Sequence, residues 1–373
     1  MVEALYVHIP FCNKICTYCD FYKMVAKNNL KEKYVDYLIK ELDLKSNLLY
    51  DIKTIYIGGG TPTALPLNLL EKLLNQLTSK INMDNVIEFT IEINPIDVTS
   101  ELCLLLKKYE INRVSLGVQS FNEEKLKFLG RDHTKKQAVK SIKLLKKHGI
   151  KNINVDFIYA APNDTVRKVK KDLITAINLN VTHISAYSLI LEEKTILHHL
   201  FQKKQYEKFD EDKDFKIYKN IRKFLQSYGY INYEISNYAK KDKYSQHNLV
   251  YWANNNYLGI GAGASYYINN TRYTNVMNLN KYFEGIDNSE LEYAEKTELT
   301  KLEQMQEEII LGLRKIDGVD INNFEKKFNM SITDAFPFIN KIIDKKLLKI
   351  KKNKLLIPKG KLYLSNIVLS EFI

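Results

Sequence analysis

The sequence is poor in cysteine and arginine, and it has no long apolar run. Four cysteines in 373 residues cannot build a disulfide framework. A metal or redox role in a reducing compartment is the better expectation. The absence of any stretch of about 18 apolar residues excludes a helix that crosses a membrane. The opening MVEALYVHIPF shows no basic segment followed by an apolar one, so no secretory signal is expected, and the expected location is cytoplasmic. Only six of the 56 Lys+Arg residues are arginines: Arg113, Arg131, Arg167, Arg222, Arg272 and Arg314. The formal charge of +12 is therefore a lysine excess. Base readout favours the arginine fork, and these lysines are scattered along helical faces, so no nucleic-acid partner is expected. With 45% hydrophobic and 27% charged residues, wholesale disorder is excluded and there is ample material for a packed core.

The hydropathy pattern alternates between two periods. Short β-rich runs cover Ala4–Pro10, Thr54–Gly60, Glu88–Asn94, Arg113–Gln119, Asn152–Ala160 and His183–Leu189. Between them, helical periodicity predicts helices over Lys31–Tyr50, Leu67–Ile81, Ser100–Glu110, Lys135–His148 and Asp164–Leu179. Gly149 follows the fourth of these at a left-handed cap position. Six strands alternating with helices predict an α/β chain with a parallel sheet, either a barrel-like wrap or an open doubly wound sheet. A further helix is expected over Phe209–Tyr230. After an aromatic and glycine-rich stretch, helices over Thr300–Leu313, Ile321–Phe328 and Ser331–Lys346 precede a lysine-rich hairpin at Leu348–Pro358. That ending predicts a helical, winged-helix-like appendage. The expected division is 1–235, 236–295 and 296–373.

Cys12, Cys16 and Cys19 form C-x3-C-x2-C directly after the first strand. Three thiolates in one loop suit a soft metal centre. Tetrahedral zinc would need a fourth ligand, for which His8 or Asp20 is available. An iron–sulfur cubane held by three cysteines would leave one iron open to an outside ligand, and the spacing favours this. Cys103 lies in an apolar helix and reads as core. Gly58, Gly59, Gly60 and Thr61 end the second strand, where bare backbone can approach a ligand. Glu92, Gln119 and Asp156 recur near the ends of the third to fifth strands, the face at which a parallel sheet binds ligands. Each alone could be a satisfied core polar group. Arg131, in LGRDH, could grip a carboxylate with paired donors or simply begin a surface helix. Gly259–Ala264 imitates a dinucleotide fingerprint, but its glycines are misspaced, so close backbone approach is the better reading. His247, in HNLVYW with the only tryptophan, reads either as a buried structural histidine or as an axial heme ligand.

YVHIPFCNKICTYCDF closely resembles the start of radical S-adenosylmethionine (SAM) enzymes of the oxygen-independent coproporphyrinogen III oxidase family. The resemblance continues through GGGTPT, EINP, GVQSF, YEISNYA, HNLVYW, YLGIGAGAS and LIPKGKLYLSN, essentially the whole chain. It implies a radical SAM partial (β/α)6 barrel with the C-terminal appendage. It implies a [4Fe–4S] cluster on Cys12, Cys16 and Cys19, whose open iron chelates SAM and whose electron cleaves the sulfonium to a 5′-deoxyadenosyl radical. By the same resemblance Tyr6, the backbone at Tyr18, Gly59, Gly60, Thr61, Glu92, Gln119, Arg131 and Asp156 carry SAM. HNxxYW is a signature of the heme-chaperone branch, which implies heme as cofactor and His247 as its candidate ligand.

Two departures separate chaperone from oxidase. The oxidase pattern has a further cysteine two residues after the third, where this chain has Phe21. The oxidase also has a substantial segment before its first strand, whereas this chain enters that strand within about five residues. Both point to the chaperone branch, whose implied partners are heme, acceptor hemoproteins at the cytoplasmic membrane surface and an electron donor. The lysines would suit heme propionates or an anionic membrane. Ser265 stands where the family commonly has histidine.

Overall fold

The computed structural model describes residues 1–207 and 209–373. Six parallel strands stand in chain order: β1 (Ala4–Ile9), β2 (Thr54–Gly59), β3 (Glu88–Ile93), β4 (Arg113–Gln119), β5 (Asn152–Tyr159) and β6 (His183–Ser188). Each keeps within one residue of its expected span. Helices α1 (Asn28–Leu44), α2 (Leu67–Lys80), α3 (Ser100–Lys108), α4 (Glu123–Phe128), α5 (Lys135–Lys147) and α6 (Val166–Asn178) fill the crossovers. Side-chain caps start several of them: Thr99, Asn122 and Thr165 accept from backbone N–H groups, and Thr134 forms a capping box with Gln137. Gly149 takes φ +91° past the end of α5, as expected.

The strands alternate with a period of two, and this alternation builds the barrel. Leu5, Val7, Ile9, Ile55, Ile57, Phe89, Ile91, Val114, Leu116, Ile153, Val155 and Ile184 join the apolar core that packs under the helices. The intervening residues (Thr54, Tyr56, Glu88, Thr90, Glu92, Arg113, Asn154, Asp156, His183) turn inward and hydrogen-bond to one another or to the barrel floor. A sheet with polar residues on its concave side encloses a polar interior.

After β6 come α7 (Ile196–Gln202), α8 (Glu211–Ser227), β7 (Ile231–Asn232), β8 (Asn237–Ala239) and α9 (Gln246–Trp252). There follow β9 (Tyr257–Ile260), β10 (Ser265–Ile268), β11 (Thr271–Asn275), α10 (Leu279–Asp287) and β12 (Tyr293–Glu298). β8 and β7 continue the sheet antiparallel beyond β6, while β9 pairs parallel with β1 and leads through β10 and β11 to β12. The glycine run expected to need close approach does so: a Cβ on Gly261 would lie 2.6 Å from the His8 carbonyl oxygen. The appendage holds α11 (Lys301–Gly312), β13 (Val319–Asp320), α12 (Ile321–Phe328), α13 (Ile332–Ala335), α14 (Ile339–Asp344), β14 (Lys349–Lys351) and β15 (Lys354–Leu356). The helix expected over Ser331–Lys346 is two short helices. Pro337 lies between them, and a proline cannot continue a helix through its missing N–H and ring clash.

Glu41 locks α1 to the strands added beside β1. It is fully buried, and its carboxylate accepts from Lys45 Nζ at 2.7 Å, Gly261 N at 2.7 Å, Asn275 Nδ2 at 2.8 Å and Tyr282 Oη at 2.7 Å. Lys45 also donates to the Gly259 carbonyl, and its own burial lowers its pKa. Glu41→Ala leaves that ammonium buried without its counter-charge and is expected to cost about 3–5 kcal/mol. Glu41→Met with Lys45→Met is expected to cost less; urea denaturation of the two variants checks the order.

Candidate functional site

The carboxyl ends of the barrel strands open onto a cavity of about 380 Å³, within the usual range for small-ligand sites. It brings together Cys12, Cys16, Cys19, Tyr18, Gly59, Gly60, Thr61, Glu92, Gln119, Arg131 and Asp156. Of the residues expected to carry SAM, Tyr6 alone is not on this wall. Its hydroxyl lies 2.9 Å from His8 Nδ1, and it braces that ring from inside the barrel.

The cysteine loop is pinned on both flanks. Cys12 N donates to the Met24 carbonyl at 2.9 Å and Met24 N to Pro10 O at 2.7 Å. Further along, Thr17 N donates to Leu129 O, Thr17 Oγ1 to Phe128 O, and Leu197 N of α7 to Thr17 O at 2.8 Å. Cys12 Sγ sits 3.6 Å from Thr61 Oγ1, and Arg131 Nη1 reaches Cys16 Sγ at 3.2 Å. Burial raises the Cys12 thiol and pushes Cys19 up to about 11. Loading a metal centre here must displace protons. His8 is not an available fourth ligand, because Tyr6 holds one ring nitrogen and the Tyr22 carbonyl the other, at 3.1 Å. Asp20 does reach the cavity wall. Among the described residues, no three His, Cys, Asp or Glu side chains converge as a single-ion site. Three thiols spread around one cavity, with a guanidinium beside one of them, fit a multi-atom cluster.

Each glycine at the end of β2 makes room for a different neighbour. A Cβ on Gly58 would lie 2.9 Å from the Tyr56 ring and 3.0 Å from the Glu92 carboxyl carbon. On Gly59, at φ +114°, it would meet the His8 ring at 2.6 Å; on Gly60 it would meet Phe11 O at 2.8 Å and Cys12 Sγ at 3.0 Å. The bare backbone is what lets the β2 end lie against the cysteine loop. Gly60 N donates to Ile9 O and Thr61 N to Phe11 O, both at 2.8 Å, carrying the β1–β2 pairing past the strand ends.

Two carboxylates from the barrel strands face the cavity. Glu92 accepts from Tyr56 Oη at 2.7 Å and Gly59 N at 3.3 Å, yet burial, with the Asp156 charge adding to it, raises its pKa to about 7. Asp156 accepts from Asn154 Nδ2 at 2.8 Å and Ser115 Oγ at 3.0 Å, and burial raises it too. Arg131 is no surface helix start. Its guanidinium donates to Asn94 Oδ1 at 2.5 Å, Gly117 O at 2.6 Å and Cys16 Sγ, while its buried Nε has no partner among the described residues. Gln119 holds a left-handed φ of +63° at a register shift in β4, a strained backbone of the sort functional sites retain. Sequence reasoning missed Tyr56 and Asn94, which position Glu92 and Arg131; Tyr56 was legible as the inward residue two before Gly58.

His247 lies elsewhere. It is 1% exposed on α9, beneath the amino ends of β2 and β3, with Nδ1 2.9 Å from Thr54 Oγ1 and Nε2 2.7 Å from Tyr251 Oη. Burial pulls its pKa down to about 3. Both ring nitrogens are hydrogen-bonded inside the protein, the arrangement of a buried structural histidine. Ser265, at the usual histidine position, is exposed on β10 and 3.0 Å from Thr274 Oγ1.

Two outcomes follow for these residues. Gly59→Ala is expected to destabilise the fold by about 1–3 kcal/mol through its positive φ, in addition to the His8 collision, read from thermal unfolding. Between pH 4.5 and about 7 an unfolded Glu92 is ionised while the folded one keeps its proton, so stability contributed at low pH is lost as pH rises through that window. Glu92→Gln is expected to flatten that decline in urea midpoints across the range. Glu234, also lifted to about 7 by burial, retains its own share.

The chain matches the Radical SAM superfamily over residues 6–174 and the HemN C-terminal domain over residues 299–359. It is 40% identical over 347 residues to the heme chaperone HemW of Lactococcus lactis subsp. lactis (strain IL1403), covering 93% of this chain and 90% of that protein. Identity to the heme chaperone HemW of Bacillus subtilis (strain 168) is 36% over 348 residues, 92% of each chain. The fold is that of the Escherichia coli radical SAM enzyme coproporphyrinogen III oxidase (HemN), with a TM-score of 0.85 over 100% of this chain and 90% of that one at 22% identity. Radical SAM and HemN-type segments in order, with relatives this similar along nearly the whole length, place the chain: it belongs to the HemW family of radical SAM proteins.

Proposed function

We propose that this chain is a heme chaperone: it binds heme and delivers it to acceptor hemoproteins, and it carries a [4Fe–4S] cluster and SAM in the cavity at the carboxyl ends of the barrel strands. The observation that carries this reading is the meeting of whole-length similarity to heme chaperones with three thiols around one pinned loop. Cys12, Cys16 and Cys19 would hold the cluster, which supplies one electron to the SAM sulfonium when both are bound. The residues of the chain do the rest. Gly59 and Gly60 present bare backbone, Arg131 offers its unpartnered Nε, and Glu92 and Asp156 accept from ligand hydroxyls. Tyr18, Thr61 and Gln119 complete the wall.

The oxidative decarboxylation of coproporphyrinogen III by an oxygen-independent dehydrogenase is the alternative. Phe21 speaks against it: this side chain is 65% exposed at the cavity rim and supplies no thiol where the oxidase pattern has one. An electron donor, and delivery at the anionic cytoplasmic surface of a membrane, belong to the same proposal. The lysine excess supports surface attraction of this kind. Among the described residues no helix is long and apolar enough to cross a membrane.

Anaerobic reconstitution with iron and sulfide, heme titration and an oxidase assay on one sample test the reading. The expected outcome is a cluster absorbance lost in the Cys12→Ser, Cys16→Ser and Cys19→Ser variants, a saturable heme spectrum, and no decarboxylated product with SAM and reductant. Product at enzyme-like turnover would overturn the chaperone reading, and so would a failure to bind heme.

A further inference from the structure

Beneath the cavity, two chains of inward-facing side chains run through the barrel and meet at α9. In the first, Tyr56 donates to Glu92 Oε1 at 2.7 Å, and the His247 ring lies against the Tyr56 ring with centroids 5.2 Å apart and planes 31° from parallel. His247 is held from two sides, by Thr54 of β2 and Tyr251 of its own helix. Gly58 closes the top of this stack, with room for no Cβ between Tyr56 and Glu92.

The second chain starts at the other cavity carboxylate. Asp156 Oδ1 accepts from Asn154 Nδ2 at 2.8 Å; Asn154 Oδ1 and His183 Nδ1 lie 2.6 Å apart; His183 Nε2 and Tyr233 Oη lie 2.7 Å apart. Tyr233 Oη accepts from Ser245 N at 3.2 Å, and Ser245 Oγ donates to Glu88 Oε1 at 3.3 Å. Glu88 in turn accepts the N–H groups of Gln246 and His247 at 2.8 and 3.2 Å, fixing the first turn of α9. Both strand-borne carboxylates of the cavity thus lead, by contact or hydrogen bond, to the same helix on the barrel floor.

We propose that His247 is a positioning residue, which supports Tyr56 from below and through it sets the Glu92 carboxylate at the SAM wall. The HNxxYW segment then acts on the cavity from the barrel floor, through Tyr56. The inference rests on the proposed reading only in taking Glu92 as a SAM contact; it asks nothing of heme. A coordinating imidazole needs a nitrogen directed at the metal, whereas a supporting one needs both nitrogens tied down and a face against its neighbour. The second arrangement is the one present.

The test compares His247→Ala, His247→Gln, Tyr56→Phe and the double variant His247→Ala/Tyr56→Phe in the full-length, anaerobically reconstituted protein. SAM affinity by equilibrium dialysis, heme affinity by titration and thermal unfolding are read on each. His247→Ala and Tyr56→Phe are each expected to weaken SAM about tenfold, with the double variant no weaker than the worse single one, since contacting residues in one chain do not add. His247→Gln, which can still meet two hydroxyls, is expected to recover part of the loss, and heme affinity is expected to stay at the wild-type value. Additive losses, or a lowered unfolding temperature with SAM affinity untouched, would overturn the proposal. So would a loss of heme affinity with SAM binding intact, which would make His247 a heme ligand.

A second readout stands apart from the loaded protein. The Glu92 titration in the cofactor-free protein can be followed by carbon NMR of labelled glutamate carboxyls, assigned by Glu92→Gln. Asp156 and Arg113 are the charged groups facing it, and both remain in these variants. Loss of the Tyr56 donor, directly or through His247→Ala, is expected to raise the midpoint above the wild-type value; an unmoved midpoint in His247→Ala would sink the proposal even if the wild-type protein bound no heme.

Discussion

β1 is paired on both edges, to β2 on one side and β9 on the other, and the architecture of the cavity depends on that constraint. A central strand cannot shift its register without breaking two ladders, and a one-residue slip would turn Tyr6 and His8 out of the barrel. The chain leaving β1 at Pro10 therefore starts the cysteine loop from a fixed point. Its backbone immediately pairs again, with Gly60 and Thr61 on one side and Met24 on the other. The thiols need no strong preference of their own to gather; the flanking backbone has brought them there. Glu41 adds the outer lock, since its four partners lie just past the end of α1, in the turn after β9, on β11 and on α10.

The barrel interior turns this rigidity into a graded environment. Near the carboxyl ends the inward residues line open space and have raised acid pKa values, because burial disfavours the carboxylate more than nearby donors stabilise it. Near the amino ends the same faces are tied into hydrogen bonds: Glu88 accepts from Ser245 and from the His247 N–H, and His183 meets Tyr233. One sheet thus supplies a receptive end and a sealed end from the same alternating pattern, and the difference is hydrogen-bond occupancy, not residue type.

Much of this was legible in the sequence. The six barrel strands were, because each is a short β-rich run bounded by turn residues and followed by a full helical period. Glu92, Gln119 and Asp156 were, because strand-end polar residues have a fixed meaning in parallel sheets; the cysteines were legible by their spacing, and Tyr18 only through the family resemblance. α4 and α7 were not: with six and seven residues they span less than two full helical turns, too short to show a period against their flanks. Pro337 should have divided its helix in advance, but the surrounding apolar spacing runs through it. Tyr6 and His247 mark a deeper boundary. Strand position says that Tyr6 faces inward and residue type allows His247 to be buried, but only the fold shows that the polar atoms of both are already engaged.

The glycines that end β2, Gly58 to Gly60, constrain how the sequence can change. Three consecutive positions are each closed to a side chain by a different neighbour: Tyr56 and Glu92 at the first, His8 at the second, Phe11 and Cys12 at the third. Relief at the first would have to come from Tyr56 or Glu92, both on the cavity wall; at the second it would have to come from His8; at the third a backbone carbonyl stands in the way, which no substitution removes. Variation along this chain, whether natural drift or laboratory selection, must route around the tripeptide, reshaping the rim at Ile15, Phe21 and Ile190 while Gly58 to Gly60 stay as they are.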